Sequence, residues 1–264
     1  MIDIHHHLLP GLDDGAADLE TSIEMARIAV DEGITHVVCT PHASERYEFH
    51  PQRNVELLAE LRARLADLKI PLTLGLGCDF HLTYDNILAA QNDPAKFSIN
   101  GLGHLLVELP DYGLAGSLTE TYYEMQLAGL TPILTHPERN RTLQADRSRM
   151  IPWLRGGLIV QVTADSVLGR MGRKAEVMAH ELLADRWVHI LATDAHGVRN
   201  RPPHIREAHA LIAKKYGSDY ANLLVLDNPR AAFEGKPLPE QEPPMKLYED
   251  MKPKASWWQR LFRI

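Results

Sequence analysis

Apolar residues along this chain gather in short, nearly continuous runs. Longer stretches separate them, in which apolar positions recur every three or four residues. The runs at 2–5, 36–40, 72–76, 105–109, 132–135, 158–162 and 188–192 are dense in Ile, Val, Leu and Thr. Such runs, without polar alternation, read as strands covered on both faces. The intervening spacing is helical. Val55, Leu58, Leu61, Leu65 and Leu68 follow Asn54 in three- and four-residue steps, the stripe of an amphipathic helix. Thr21-Ser-Ile-Glu24 has the form of a capping box with Gly33 as the stop, and further helices are predicted over 119–127, 145–154, 173–184 and 205–216. Strands and helices in alternation make a parallel sheet. Seven such units with no linker favour a closed α/β barrel over an open doubly wound sheet, and 264 residues suffice for one. The barrel is expected over 1–234. Residues 235–264 form a C-terminal extension rich in Pro, Glu and Lys that closes on Trp257-Trp258-Gln-Arg-Leu261-Phe262. This extension is expected to pack back on the domain or on a neighbour, with a membrane-surface or partner-docking role as the weaker reading.

Composition narrows the class. At 45% hydrophobic and 24% charged residues the balance is that of a globular protein. A net charge of −7 argues against nucleic acid as a partner, because a polyanion needs a basic face. No apolar run reaches the roughly 18 residues of a transmembrane helix, and no basic-then-apolar leader is present, so a cytoplasmic protein is expected. Cys39 and Cys78 give no disulfide framework and are expected to be small buried hydrophobes.

The residues that follow the strands change the picture. In order they are His5 and His7, Pro41-His42, Cys78-Asp79-Phe-His81, Glu108, His136-Pro-Glu-Arg139, and Asp194-Ala-His196. The sixth strand ends in Gln161-Val-Thr-Ala-Asp165 and reads as less informative. Parallel barrels hold their active sites at that rim. Two residues apart on an extended chain, His5 and His7 point to one side and His6 to the other, as a structural residue. Nitrogen and carboxylate ligands without thiolate suit Mn, Fe, Zn or Mg, and several carboxylates among them favour two or three divalent ions. A cysteine phosphatase needs Cys, five residues, then Arg. The sixth position after Cys39 is Glu45 and after Cys78 is Tyr84, and no Gly-x-Ser-x-Gly elbow occurs either.

Taken together, Met1-Ile-Asp-Ile-His-x-His, Leu12-Asp-Asp-Gly15, Thr40-Pro-His42, Glu108, Thr135-His-Pro-Glu-Arg139, Asp194-Ala-His196, Arg201-Pro-Pro-His204 and Asp227-Asn-Pro-Arg230 resemble the PHP (polymerase and histidinol phosphatase) superfamily. Within it they are most similar to the metal-dependent bacterial protein-tyrosine phosphatases of capsule and exopolysaccharide clusters. The resemblance implies a distorted (β/α)7 TIM-like barrel (the PHP fold) holding three metals, with manganese in the active form. Carried over by position, it implies His5, His7, Asp79 and Asp194 on one ion. Asp79 bridges to a second ion with Glu108 and His136, and Asp14, His42 and His196 hold the third. The family usually has Glu where this chain has Asp79, a shorter arm that weakens the bridge. The implied substrate is a phosphotyrosine protein, the tyrosine-rich tail of a bacterial tyrosine kinase controlling polysaccharide export. A homo-oligomer is left open.

For such chemistry the expected nucleophile is a metal-bridging hydroxide attacking phosphorus in line. Arg139 is the candidate fork for the phosphate and Arg201 a second, each with a structural ion pair as the competing role. Asp13 or His42 is the candidate proton donor. Three alternatives stand beside this reading. A PHP phosphoesterase acting on a small phosphomonoester would have nearly the same ligands. A non-catalytic scaffold is disfavoured because nearly all ligand positions hold competent residues. An amidohydrolase-type barrel shares the His-x-His start, but no lysine follows a middle strand.

Overall fold

The computed structural model describes residues 1–110 and 118–248, and the Trp257-Trp258 segment lies outside them. All seven predicted strands are present with ends within two residues of expectation, and two short ones are added. They are β1 (Ile2–His6), β2 (His36–Cys39), β3 (His42–Ala43), β4 (Thr73–Leu76), β5 (Asp79–His81), β6 (His104–Glu108), β7 (Thr131–Thr135), β8 (Ile159–Thr163) and β9 (Ile190–Ala192). The added pair, β3 and β5, resume the runs of β2 and β4 after short breaks. In the first break Pro41 has no N–H for a ladder. In the second, a Cβ on Gly77 would lie 3.0 Å from Val38 Cγ1.

Every pairing is parallel, in the orders β1-β2-β4 and β3-β5-β6-β7-β8-β9. Backbone bonds carry the pairing across the breaks: Gly77 donates to the Cys39 carbonyl and Asp79 to that of Pro41. Beyond β9, Asp194 N–H donates to the His5 carbonyl and His7 N–H to that of Ala195, both at 2.9 Å. The β1 edge and the segment after β9 are therefore hydrogen-bonded neighbours.

Apolar residues cover both faces of the strands. Ile2, Ile4, Val38, Leu106, Ile133, Ile159 and Ile190 form one compact cluster. The alternate positions Val37, Leu105, Val107, Leu134, Val160 and Val162 join Leu61, Met125 and Leu182 of the helices in the main core. Each such side chain, fully buried, contributes about 1.5–3 kcal/mol.

The helices depart from expectation in places with local causes. The first spans Leu19–Asp31, and its cap is Asp18, whose carboxylate accepts from Thr21 N–H at 2.8 Å; Thr21 is already inside. Gly33, at φ +86°, ends it as expected. The second spans Pro51–Asp67 because Pro51 supplies a prefixed first turn. Its buried face is Asn54, Leu57, Leu58, Leu61 and Leu65, whereas Val55 is 56% exposed. A buried polar residue had hidden the true stripe. The helix expected over 145–154 is broken into Arg141–Ala145, a 3-10 turn Arg147–Met150, and Ile151–Arg155. Asp146 caps the turn through Ser148 N–H, and Pro152 cannot donate within a longer helix. Helices Arg173–Ala184 and Arg206–Tyr216 follow expectation, and Tyr84–Asn92, Ser218–Asn222 and Asn228–Phe233 are additional.

Residues 236–248 run back along the molecule. Met245 N–H donates to the Asp185 carbonyl, Trp187 Nε1 to the Met245 carbonyl, and Arg155 to the Leu247 carbonyl, each within 3.0 Å. These partners precede β8 and β9, so the segment lies at the opposite end of the strands from the histidines and carboxylates that follow them. Among the described residues no helix is long and apolar enough to cross a membrane.

Candidate metal centre

Local backbone devices bring the polar strand ends together. Between Asp3 and His6 the register of β1 against β2 slips, so Ile4 and His5 together oppose Val38. This bulge lets Ile4 stay in the apolar cluster while the next side chain, His5, already faces the polar end. Asp3 turns away and is tied by Thr193, through N–H at 3.1 Å and Oγ1 at 2.5 Å. His6, as expected, points away from its two neighbours' cluster, and it is buried with neither ring nitrogen hydrogen-bonded. His136, Asp194 and Arg201 all have positive φ, at 33°, 53° and 54°. Such conformations cost on the order of 1–3 kcal/mol each in residues other than glycine. Here they turn three side chains abruptly from strand or loop toward one point.

The structure brings all nine expected ligand residues to that point. Their donor atoms fall into four overlapping groups within which every atom lies less than 4.8 Å from the others. These are His7, Asp14, His42 and His196; His42, Asp79, His81 and Glu108; His5, Asp79 and His136; and His5, His7 and Asp194. The distances are short: His5 Nε2 is 3.4 Å from Asp79 Oδ2 and 3.2 Å from Asp194 Oδ1, and His42 Nδ1 is 3.2 Å from Asp79 Oδ2. Ring centroids of His7 and His196 are only 3.9 Å apart. Asp14 marks the open side, with its side chain half exposed, while His5, His7, Asp79 and Asp194 are buried.

These groups fit a divalent cation on two counts. His5 Nε2, His7 Nε2, His42 Nδ1 and both Asp79 oxygens are buried without a hydrogen-bond partner, and unpaired buried polar atoms of that kind are costly. Asp14, Asp79, Glu108 and Asp194 also concentrate four carboxylates in one place. Without other cations the histidines must serve. Burial alone would lower His5, but Asp194 and Asp79 outweigh it and raise its pKa to about 9. The same contest, with Asp14 and Asp79 winning, raises His42 to about 11. Burial pushes Asp194 up, yet His5, His7, Arg139 and Arg201 hold it well below the usual carboxylate range.

Partners behind the cluster set its orientation. His5 Nδ1 lies 3.0 Å from Gln161 Oε1, so its N–H donates there and Nε2 is left to face the carboxylates. Asp13 does the same for His7, with Oδ2 2.8 Å from Nδ1. Expected as a proton donor, Asp13 instead also accepts from the Gly15 and His42 amides. Burial would raise its pKa, but His7 holds it below the ordinary value. An ionised carboxylate whose oxygens all accept has no proton to give, so its place is to position His7. Gly15 is required by this packing: a Cβ there would come within 2.4 Å of His7 Cβ and of the His7 carbonyl. Glu138 accepts from Thr163 N–H and Oγ1 and so anchors the turn that carries His136 and Arg139.

A cavity of about 380 Å³ opens over the cluster, lined by Asp14, Asp79, Glu108 and Asp194 and by Arg139, Arg201, Arg46 and Tyr47. Arg139 and Arg201 both donate to Asp194 Oδ2, and their side chains remain 26% and 22% exposed. The ion-pair role and the cavity-facing role therefore coexist.

The sequence profile described as capsular polysaccharide synthesis, CpsB/CapC, matches residues 1–234. The chain belongs to the CpsB/CapC family. It is 34% identical over 228 residues to the tyrosine-protein phosphatase YwqE of Bacillus subtilis, covering 85% of this chain and 88% of that one. It is 25% identical over 236 residues to the tyrosine-protein phosphatase CpsB of Streptococcus pneumoniae, covering 87% and 97%. Crystal structures of those two proteins describe unique metal-dependent tyrosine phosphatases. One such chain superposes with a TM-score of 0.85 at 31% identity, covering 93% of this chain and 98% of that one. A lactonase from Listeria monocytogenes shares the fold alone, at TM-score 0.58 and 11% identity.

Against this CpsB/CapC background three residues stand out to which the pattern of strand ends assigns no role. His81 Nε2 contacts Glu108 Oε2 directly; the signal was the Asp79-x-His81 spacing, which repeats His5-x-His7. Gln161, at the strand end that reads as less informative, is the orienting partner of His5. Tyr47 stacks on His42 with rings 11° from parallel and centroids 5.6 Å apart, a contact that no local pattern announces. Cys39 and Cys78 are buried free thiols, as expected, and burial raises Cys39 to about 12.

Proposed function

We propose that this protein is a metal-dependent protein-tyrosine phosphatase that acts in polysaccharide synthesis. The observation that carries the reading is the set of unpaired buried histidine nitrogens and carboxylate oxygens converging beneath a cavity that two arginines enter from the side. Family membership and the tyrosine-phosphatase relatives support it. The hydrogen bonds linking β1 to the segment after β9, with β2–β3 and β4–β5 as two interrupted strands, support a distorted (β/α)7 barrel of seven strand positions spanning 1–234, with 235–264 as an extension.

In this proposal His5, His7, Asp79 and Asp194 hold one divalent ion, Glu108, His136 and His81 with Asp79 a second, and Asp14, His42 and His196 a third. Manganese suits this nitrogen and oxygen set, as do Fe, Zn and Mg. Bound ions supply charge neutralisation and an activated water. The chain's own residues do the rest. Arg139 and Arg201, released from their share of Asp194 as the phosphate arrives, grip its oxygens by paired N–H donors. Gln161 and Asp13 fix the ring orientation of His5 and His7. A phenolate leaves readily, so hydrolysis of phosphotyrosine asks little of a proton donor. The physiological target in this reading is a cytoplasmic tyrosine-rich tail of a bacterial tyrosine kinase.

The test is hydrolysis of a phosphotyrosine peptide by purified protein before and after chelation. Activity is expected to vanish with EDTA and return with Mn²⁺. Turnover that survives thorough metal stripping would refute the proposal.

A further inference from the structure

The cavity over the metal centre does not end there. It shares Glu108, His136 and Arg139 with a neighbouring cleft of about 300 Å³. That cleft shares Gln144 with a third, open cavity of about 850 Å³. Adjoining through these shared residues, the compartments follow the segment from His136 to Ser148 as a groove, and the outermost reaches the start of the helix Arg173–Ala184.

The chemistry changes along it. Near the centre the walls are ligands. At the far end the lining includes Arg141, Arg147, Arg173 and Lys174 against Asp146 and Glu181, a local cationic excess on a chain whose net charge is −7. Arg147 is committed to structure: it pairs with Asp185 at 2.6 Å and lies over the Trp187 ring. Arg173 and Lys174 are not so held. The Arg173 side chain is 78% exposed and its pairing is with Glu176 one turn away, and Lys174 is exposed beside it. They occupy the first two positions of their helix, and its preceding Gly172 offers no side-chain cap. The positive helix end adds to their field.

We infer that this groove seats an acidic stretch of the substrate chain on one side of the phosphotyrosine, with Arg173 and Lys174 as its charge-reading residues. The inference rests on the tyrosine-phosphatase reading above and adds what surrounds the target tyrosine. Among the described residues the groove leaves the centre along the wall from His136 to Ser148, so the acidic residues that matter are those on the flank that follows this wall. Contacts at exposed cations act through long-range attraction, so the preference is salt-dependent.

The experiment uses the metal-loaded protein and three fluorescein-labelled peptides built around a non-hydrolysable tyrosine phosphonate. One has glutamates before it, one has glutamates after it, and one has serines on both sides. Binding is followed by fluorescence anisotropy at about 0.05 and 0.5 M salt, spanning strong and weak screening. One glutamate peptide is expected to bind about tenfold more tightly than the serine peptide at low salt, as for a pair of favourable rim contacts. The preference should disappear at high salt and in the Arg173→Glu/Lys174→Glu double variant. Lys174→Gln alone should lose part of it. Acidic residues at the start of a helix complement its dipole, so the double variant keeps its fold. Equal affinities for all three peptides in the wild type, or a preference that survives charge reversal, would overturn the inference. Hydrolysis of a small aryl phosphate, measured in parallel, tests the phosphatase reading separately, since such an ester does not reach the groove.

Discussion

Replacing Gln161 by methionine separates metal binding from folding. Gln161 is fully buried, its Oε1 accepts a hydrogen bond from His5 Nδ1 at 3.0 Å, and its Nε2 has no partner. Methionine fills nearly the same volume without either polar atom. For the metal-free fold the terms oppose one another. Losing the bond and stranding His5 Nδ1 costs about 1–3 kcal/mol, while deleting a buried unpaired amide N–H returns a similar amount. The net change in stability is close to zero. For the ion the terms do not cancel. His5 loses the bond that fixes its ring and tautomer, and loss of such an outer partner typically weakens metal affinity roughly 10–100-fold, about 1.4–2.7 kcal/mol. Calorimetric titration of the stripped protein with Mn²⁺ should show that weakening, with the metal-free melting temperature unchanged within a few degrees. Saturating metal should restore most of kcat. An unaltered affinity accompanied by a large drop in metal-free stability would show that Gln161 serves only the core.

Three further outcomes follow from the same geometry. Arg139→Lys exchanges a planar fork for a point charge and is expected to lower kcat/KM for a phosphotyrosine peptide on the order of 10–100-fold, with weaker inhibition by inorganic phosphate. Gly15→Ala forces a Cβ into the His7 backbone, displacing Asp13 and His7 together. It should cost about 1–3 kcal/mol in stability, read as a lower melting temperature, and should weaken metal binding although no ligand is changed. His189, away from the centre, accepts the Val160 N–H at Nδ1, and burial lowers its pKa from 6.5 to about 4. Above pH 6.5 neither state binds its proton. As pH falls below 6.5 the unfolded chain protonates first, so stability drains until the folded form also protonates near pH 4. The stability difference between wild type and His189→Gln in denaturant melts should narrow across that window, and a constant difference would rule the role out.

Much of this was legible along the chain. The seven strands could be placed because a strand covered on both faces must be apolar at consecutive positions, and little else in a globular chain looks so. Most of the residues that converge could be picked because each follows its strand at the same end, whereas Asp14, in the loop between β1 and the first helix, came only from the resemblance. The misreadings were equally local in origin. Asp18 rather than Thr21 caps the first helix because capping depends on which residue leaves helical geometry, and both are good acceptors. The second helix buries Asn54 and exposes Val55 because the whole helix turns its Leu57, Leu58, Leu61 and Leu65 face inward, and the polarity of one residue on that face does not rotate it. Asp13 looked as apt a proton donor as any carboxylate until its three hydrogen bonds were seen.

The sequence by itself determined the alternation of strand and helix and the chemical character of the strand ends, because hydrophobic periodicity and side-chain chemistry are properties of short segments. Only the tertiary structure decided which of those side chains face one another and which stand behind as supports. Bulge, left-handed residues and the contact of β1 with the segment after β9 act over separations of up to about 190 residues, as between Asp3 and Thr193. Proximity of that kind is a result of packing the whole core at once, and no window along the chain contains it.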